Sequence, residues 1–316
     1  MRTPALLIAA VFGAVTVTLW ALANQPVAEP QWPERIQGFA FSPYHSGQDA
    51  VAGDFPSIEQ IDGDLVLLKD RTRSIRTYTT DSTIGEVPKL AQKHQIKVAL
   101  GAWIDARFAH NATEIERAIR LARRHDNVIR LIVGNEVILR GDIPLADLTA
   151  YLDKVRAAVK QPVSTAEPWH VWLRHPELAE HVDYLAVHML PYWEGIPADA
   201  SIGYIDSKVA ELEQAFPGKK IVLAEVGWPS NGRTREAAVA SESNEAMFLR
   251  RFLARAREQG YVYYLMEAFD QPWKAQSEGS VGAYWGVWNV DREAKFPFKA
   301  PIVRIPEWRT LAAIEV

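Results

Sequence analysis

The chain is predicted to be an α/β protein with a parallel sheet closed as a (β/α)8 barrel, and three observations carry that reading. Apolar runs of strand length alternate with amphipathic helical stretches. Eight such runs occur between residues 36 and 267. The length, 316 residues, suits one barrel of about 250 residues plus a leader. The run that sets the pattern is residues 220–230, KIVLAEVGWPS. Ile221, Val222, Leu223 and Ala224 are apolar without alternation, as in a strand buried on both faces. The run ends at Glu225, and Gly227, Trp228, Pro229 and Ser230 break it into a loop. Residues 128–136, VIRLIVGNE, repeat the arrangement and end in Gly134, Asn135 and Glu136.

The elements follow in order. Residues 36–42 are the first strand, a short helical stretch carries Leu65, Leu67 and Leu68, and residues 75–78 are the second strand. A helix over 84–94 leads to a third strand over 97–103. Asn111 is expected to cap the next helix, with Glu114 three residues on as in a capping box. Ile115, Ala118, Ile119 and Ala122 make that helix's apolar face, and Arg117, Arg120, Arg123 and Arg124 its solvated one. After the fourth strand, Asp142 and Pro144 open a helix with a Leu145, Leu148, Leu152, Val155 stripe. Residues 162–167 and 182–188 are the fifth and sixth strands. A helix through Ile205, Val209, Leu212 and Phe216 leads to the seventh. Leu249, Phe252, Leu253 and Ala256 mark the last helix before an eighth strand at 261–267.

Composition narrows the function. The chain is 48% hydrophobic and 23% charged, with net charge −4 and no long basic block, which argues against a nucleic-acid partner. With no cysteine, disulfide, zinc-thiolate and cysteine-nucleophile chemistries are excluded. No strand is followed by a GxGxxG or GxxxxGK[ST] stretch, so dinucleotide and P-loop readings lack their fingerprint. Residues 1–23 form a leader in which Arg2 precedes an apolar run of roughly 20 residues, long enough to span a bilayer. It reads as a signal anchor through residues 5–23 with the barrel outside the cytoplasm. The alternative is a cleaved signal peptide, since Ala21-Leu22-Ala23 fits a small-x-small site. Residues 24–35, with Pro26, Pro30 and Pro33, read as an extended tether, and 36–316 as the barrel.

In a barrel the C-terminal strand ends face the active site. Those ends hold Tyr44, Tyr78, Trp103, Asn135, Glu136, Glu167, His188, Glu225 and Glu267, rich in carboxylates and aromatics and without a coherent metal cluster. A carboxylate pair in such company suits glycosidic bonds, which need an acid on the leaving oxygen and a second carboxylate near the anomeric carbon. The chain has 11 tryptophans. Trp103, Trp169, Trp172, Trp193, Trp228, Trp273, Trp285 and Trp288 fall in or just after strand ends, where flat rings can hold the C–H faces of sugars. About half of these are expected to touch sugar.

The motifs GFAFSPY (38–44), IRTY (75–78), VGNE (133–136), PYWEG (191–195), AEVGWPS (224–230), MEAFDQPWK (266–274) and YWGVWN (284–289) resemble glycoside hydrolase family 17 in family order. The resemblance implies a retaining β-1,3-glucan-active enzyme without cofactor or metal. Glu136 would be the acid/base and Glu225 the nucleophile, with carboxyl groups about 5–5.5 Å apart. It implies that Asn135 meets the sugar 2-OH and that Tyr44 and Tyr78 lie near the reacting sugar. Glu267, Lys274 and Glu278 would tune the pair and contact hydroxyls, while Trp193, Trp228 and Trp273 would be sugar platforms. The sequence departs from the family's Asn-x-Tyr-Pro at the sixth strand, having His188-Met189-Leu190-Pro191-Tyr192. The expected tyrosine is therefore Leu190, and Tyr192 or His188 takes its role, or nothing does. Glu167 is read as a supporting neighbour. Anchored relatives imply a transglycosylase that elongates or branches β-glucan, with endo-hydrolysis the alternative. A non-catalytic glucan-binding subunit of a larger synthase is a third reading, against which the retained pair argues.

Overall fold

The computed structural model describes residues 3–305 and 308–314. Helix α1 (Thr3–Ala23) precedes the barrel. The barrel then runs β1 (Ile36–Ala40), α2 (Ile58–Leu68), β2 (Thr72–Arg76), α3 (Val87–Lys93), β3 (Lys97–Ala102), α4 (Phe108–Arg124) and β4 (Val128–Asn135). It continues with α5 (Val137–Arg140), α6 (Leu145–Ala158), β5 (Val163–Pro168), α7 (Trp169–Arg174), β6 (Tyr184–Met189), α8 (Ser201–Ala215) and β7 (Lys220–Val226). It ends with α9 (Glu242–Gln259), β8 (Val262–Leu265), α10 (Ala275–Glu278) and α11 (Trp308–Ile314). All eight strands are parallel and close as β1 through β8, with Phe39 of β1 opposite Leu265 of β8.

Two apolar cores follow from the strand pattern. Outward residues such as Val98, Leu131, Leu185 and Leu223 pack under the helices with Leu65, Leu152, Leu212 and Phe252. The lumen is lined by Ala99, Ala166, Ala186 and Ala224, whose small side chains leave room for Tyr184 and Tyr264. The Tyr184 hydroxyl donates to the Leu131 carbonyl (3.0 Å). The helices carry their own start and stop signals. Ser57 and Gln60 form a capping box on α2, while Ser241 caps α9 and Gly260, in the left-handed region, ends it.

Three local expectations are corrected. Strand β2 begins at Thr72 and ends at Arg76, so Tyr78 belongs to the loop above it. Helix α4 begins at Phe108, so Asn111 and Glu114 lie inside it, both fully buried, and do not form a capping box. They have other work: Asn111 pairs with both backbone groups of Asp105. The Glu114 carboxylate accepts from Thr79 Oγ1, Thr80 N and Trp103 N, tying together the loops above β2 and β3.

The third correction concerns the tether. Residues 24–35 are extended but docked. Val27 and Ile302 exchange antiparallel backbone bonds of 2.9 and 3.0 Å, and Asn24 Oδ1 accepts from Ile305 N. The Arg250 guanidinium of α9 donates to the carbonyls of Glu29, Pro30 and Ala300, while Arg251 pairs with the Glu29 carboxylate. Trp32 packs on Phe296 and Phe298. Met1 and Arg2, the charge before the apolar run, lie outside the described residues. The side chains of α1 are described from Leu7 onward, where Leu7, Ile8, Val11, Phe12, Leu19 and Leu22 are exposed. Among the described residues no helix is long and apolar enough to cross a membrane.

Candidate active site

Irregular strand ends build the site. Register shifts fall between Ile132 and Asn135 of β4, between Val187 and His188 of β6, and between Leu223 and Val226 of β7. Such bulges re-aim the side chains that follow them. At β4, Gly134 (φ 86°) and Glu136 (φ 56°) both adopt left-handed backbone. A Cβ at Gly134 would meet Val137 Cγ2 at 2.6 Å, so only glycine fits there. For Glu136 the same region is unfavourable and is held by its surroundings. Its N–H donates to the Ala166 carbonyl (2.7 Å), and Glu167 accepts from Ile138 N (2.8 Å) and Leu139 N (3.3 Å) in the next turn. Burial pushes the Glu167 carboxyl up to about 7, against those two amides.

Strand β7 carries Glu225, which is almost completely buried. Register places His188 of β6 directly beside it. Arg76 of β2 reaches across the lumen mouth and donates to Glu225 Oε1 (2.7 Å), the Ala224 carbonyl (3.0 Å) and Asn135 Oδ1. The Tyr78 hydroxyl donates to the same Oε1 (2.8 Å), its ring under the Arg76 guanidinium. Burial raises the Glu225 carboxyl, but His188, Arg76, Lys274 and the Tyr78 hydroxyl hold it below the usual carboxylate range. Close behind, Gly227 lets the chain pass the Met266 carbonyl, which a Cβ would meet at 2.1 Å.

Glu136 faces this assembly. His188 Nδ1 lies 2.7 Å from Glu136 Oε1, and His188 Nε2 lies 3.4 Å from Glu225 Oε1. One ligand atom from each of Glu136, His188 and Glu225 lies within 4.8 Å of the others. Such a trio could hold a metal ion, as could Asp81, His110 and Glu114. In the first set, however, the Arg76 guanidinium already faces Glu225, and in the second Arg117 pairs with Asp81 at 2.6 Å.

A second acidic group closes the site above β8. Lys274 Nζ donates to Glu267 Oε1 (2.7 Å), both residues buried. Burial pushes Glu267 up to about 7, and partial burial pushes Glu278, whose charge neighbours are Lys274, Glu225 and Glu136, up to about 7.

The aromatics divide evenly. Trp103, Trp169, Trp193 and Trp273 are half-buried, whereas Trp172, Trp228, Trp285 and Trp288 are buried. Trp273 lies edge-on to the buried ring of Tyr44 (5.7 Å), and Trp193 lies beside Trp285 (5.9 Å). Trp228 is not a sugar platform. Its indole N–H donates to the Val239 carbonyl (3.0 Å), and its ring packs between Tyr192 and Phe248. Tyr192 is likewise taken up in packing, 0% exposed, with its hydroxyl on the Arg233 carbonyl. The partners of Glu225 are thus Tyr78, His188 and Arg76, not Tyr192. Arg76 is the residue the sequence reading left out, although it sits inside the quoted IRTY motif.

The chain is similar in sequence and fold to known proteins. The family model of the BtgE/BtgC glycoside hydrolase domain matches residues 38–286. A probable family 17 glucosidase of Saccharomyces cerevisiae is 28% identical, over 80% of this chain and 65% of its own length. A glucan 1,3-beta-glucosidase of Schizosaccharomyces pombe is 30% identical, over 74% of this chain and 78% of its own length. The chain thus spans about two thirds of the budding-yeast relative. The structure of a family 17 β-1,3-glucanosyltransferase from Rhizomucor miehei superposes with a TM-score of 0.73 at 28% identity, covering 84% of this chain and 98% of that one. An active-site mutant of that enzyme, in complex with laminaritriose, matches at the same TM-score, 0.73, and 27% identity.

Proposed function

The chain belongs to the BtgE/BtgC glycoside hydrolase domain family, within glycoside hydrolase family 17, and from that premise we propose that it is a retaining β-1,3-glucan-active enzyme working chiefly as a transglycosylase. The observation that carries the reading is the approach of Glu136 and Glu225 within 4.8 Å. So close an approach of one oxygen from each favours the retaining arrangement, in which the carboxyl groups are about 5–5.5 Å apart, over the wider inverting one. Glu225, ionised and tied by Arg76 and Tyr78, attacks the anomeric carbon. Glu136 protonates the leaving oxygen and later takes a proton from the incoming hydroxyl. Because Arg76 occupies the Asn135 amide oxygen, the amide NH2 is the end left for the sugar 2-OH.

The β-1,3-glucan substrate is supported by the relatives' names and by the laminaritriose complex of the Rhizomucor enzyme. Transfer differs from hydrolysis only in whether a sugar hydroxyl or water attacks the intermediate. The half-buried Trp193 and Trp273 favour a sugar acceptor. We also propose that the barrel lies outside the cytoplasm and that α1 rests against a membrane through its exposed Leu7, Ile8, Val11, Phe12, Leu19 and Leu22 side chains. Product analysis tests the activity. Protein begun at residue 24 would be incubated with a labelled linear β-1,3-gluco-oligosaccharide and read by mass spectrometry and NMR. Products longer than the substrate are expected, with a 1,6 anomeric signal if the enzyme branches. Shorter products alone, initially β-configured, would make it a hydrolase. An unchanged substrate with binding intact would overturn the enzymatic reading.

A further inference from the structure

His188 is only 2% exposed, yet each of its ring nitrogens faces a carboxylate, Nδ1 facing Glu136 and Nε2 facing Glu225. Nε2 is buried and has no hydrogen-bond partner, and Glu225 Oε1 lies 3.4 Å from it. A neutral imidazole would leave one nitrogen as a lone pair against a carboxylate oxygen. An imidazolium gives both carboxylates a donor. Glu167 of β5, across the Pro168–His188 register pair, adds a third acidic group, while Arg76 of β2 and Lys274 above β8 are committed to Glu225 and Glu267.

We propose that His188 is a positioning residue that serves as the shared counter-ion of the two carboxylates, remaining protonated while its anionic partner alternates. The proposal rests on the retaining assignment above. Before reaction the anion is Glu225 and Glu136 carries the acid proton. In glycosylation the bond from C1 to the leaving oxygen breaks, the bond from the Glu225 oxygen to C1 forms, and the Glu136 proton passes to the leaving oxygen. Glu225 is then a neutral ester and Glu136 the carboxylate, so the charge facing the imidazolium has moved from Nε2 to Nδ1. In the second step the acceptor oxygen bonds C1, its proton goes to Glu136, and the Glu225–C1 bond breaks. The imidazolium keeps both protons throughout. It faces one full anion at each stage, and the buried site changes its charge distribution without changing its total. Burial raises Glu225, and among the charges that oppose this His188 leads.

The test is the pH dependence of kcat/KM in H188N and H188K, using linear β-1,3-gluco-oligosaccharides. Loss of a cation beside both carboxylates moves both limbs of the bell to higher pH, by about one to three units, and lowers the maximum. H188K restores a charge without the ring, so its limbs return toward wild type while its maximum stays low. Near-wild-type circular dichroism and labelling of Glu225 by a 2-deoxy-2-fluoro glucosyl fluoride keep a folding defect distinct. If H188N lowers the maximum but leaves both limbs in place, the residue is merely structural and the proposal fails. If E136Q and E225Q still form product, the retaining assignment itself has failed.

Discussion

The ends of β4 and β7 hold the two glutamates in different ways. Glu225 is buried and immobilised by a guanidinium and a phenol on one oxygen. Glu136 is partly open, stands on left-handed backbone, and among the described residues has His188 as its one side-chain hydrogen-bond partner. A nucleophile must stay ionised and aimed, so cations and donors converge on it. An acid/base must exchange its proton with two different oxygens in each cycle, so it is left accessible and is positioned through its backbone. The strain at Glu136 falls on the group that changes state, and the rigid contacts fall on the group that forms the bond.

Substitutions can break this contrast, and the largest effect belongs to the fixed end. E225Q is expected to reduce product formation by on the order of 10⁵, measured by chromatography, with glucan binding retained. E136Q is expected to cost about 10²–10⁴ with unactivated oligosaccharides. Much less is lost with a glycosyl fluoride donor, whose leaving group needs no acid; equal losses on both donors would place Glu136 outside the proton transfer. R76M removes the guanidinium shared by Glu225, Ala224 and Asn135. Denaturant unfolding should register a loss of about 3–5 kcal/mol, because a buried carboxylate is left short of its partner. Y78F, deleting one donor to a charged group, should lower kcat/KM about tenfold or somewhat more.

The smallest effect sharpens the contrast through pH. Glu167 supports the Glu136 turn, whereas Glu267 and Glu278 stand behind Glu225; each carboxyl is raised from 4.5 to about 7 in the folded chain. Between those values the unfolded chain binds fewer protons than the folded one, so stability falls as pH climbs from about 4.5 to 7. Glu225, held below its ordinary 4.5, acts in the opposite sense, and its contribution is lost as pH drops below that value. The melting temperature should therefore decline from pH 5 to 7, and E267Q should flatten the decline; a rise over that range would contradict the burial of these acids.

The barrel and the carboxylate pair were legible because both are written locally. An apolar run with no alternation says buried parallel strand, and a glutamate at its end has nowhere to go but the mouth. What is written in three dimensions was harder to read. Arg76 lies inside a buried strand, where a lone charge demands a partner; that anomaly was the available signal, yet its partner is 149 residues away. Asn111 and Glu114 have the spacing of a capping box, but the unpaired amides of Thr80 and Trp103 claim Glu114 instead. Trp228 and Trp273 both follow strand ends, and sequence does not distinguish a ring that turns down into packing from one that stays partly open.

The docked segment ahead of the barrel bears on where the polypeptide can be cut. Protein started at Ile36 would lose Glu29 and Pro30, two of the three carbonyls that satisfy the Arg250 guanidinium, along with Trp32. Arg250 is 1% exposed, so its donors would be stranded within α9. A protease able to reach residues 24–34 would do the same damage as a short gene. A truncation that keeps these contacts therefore has to start at or before Glu29, ahead of the first strand of the sheet.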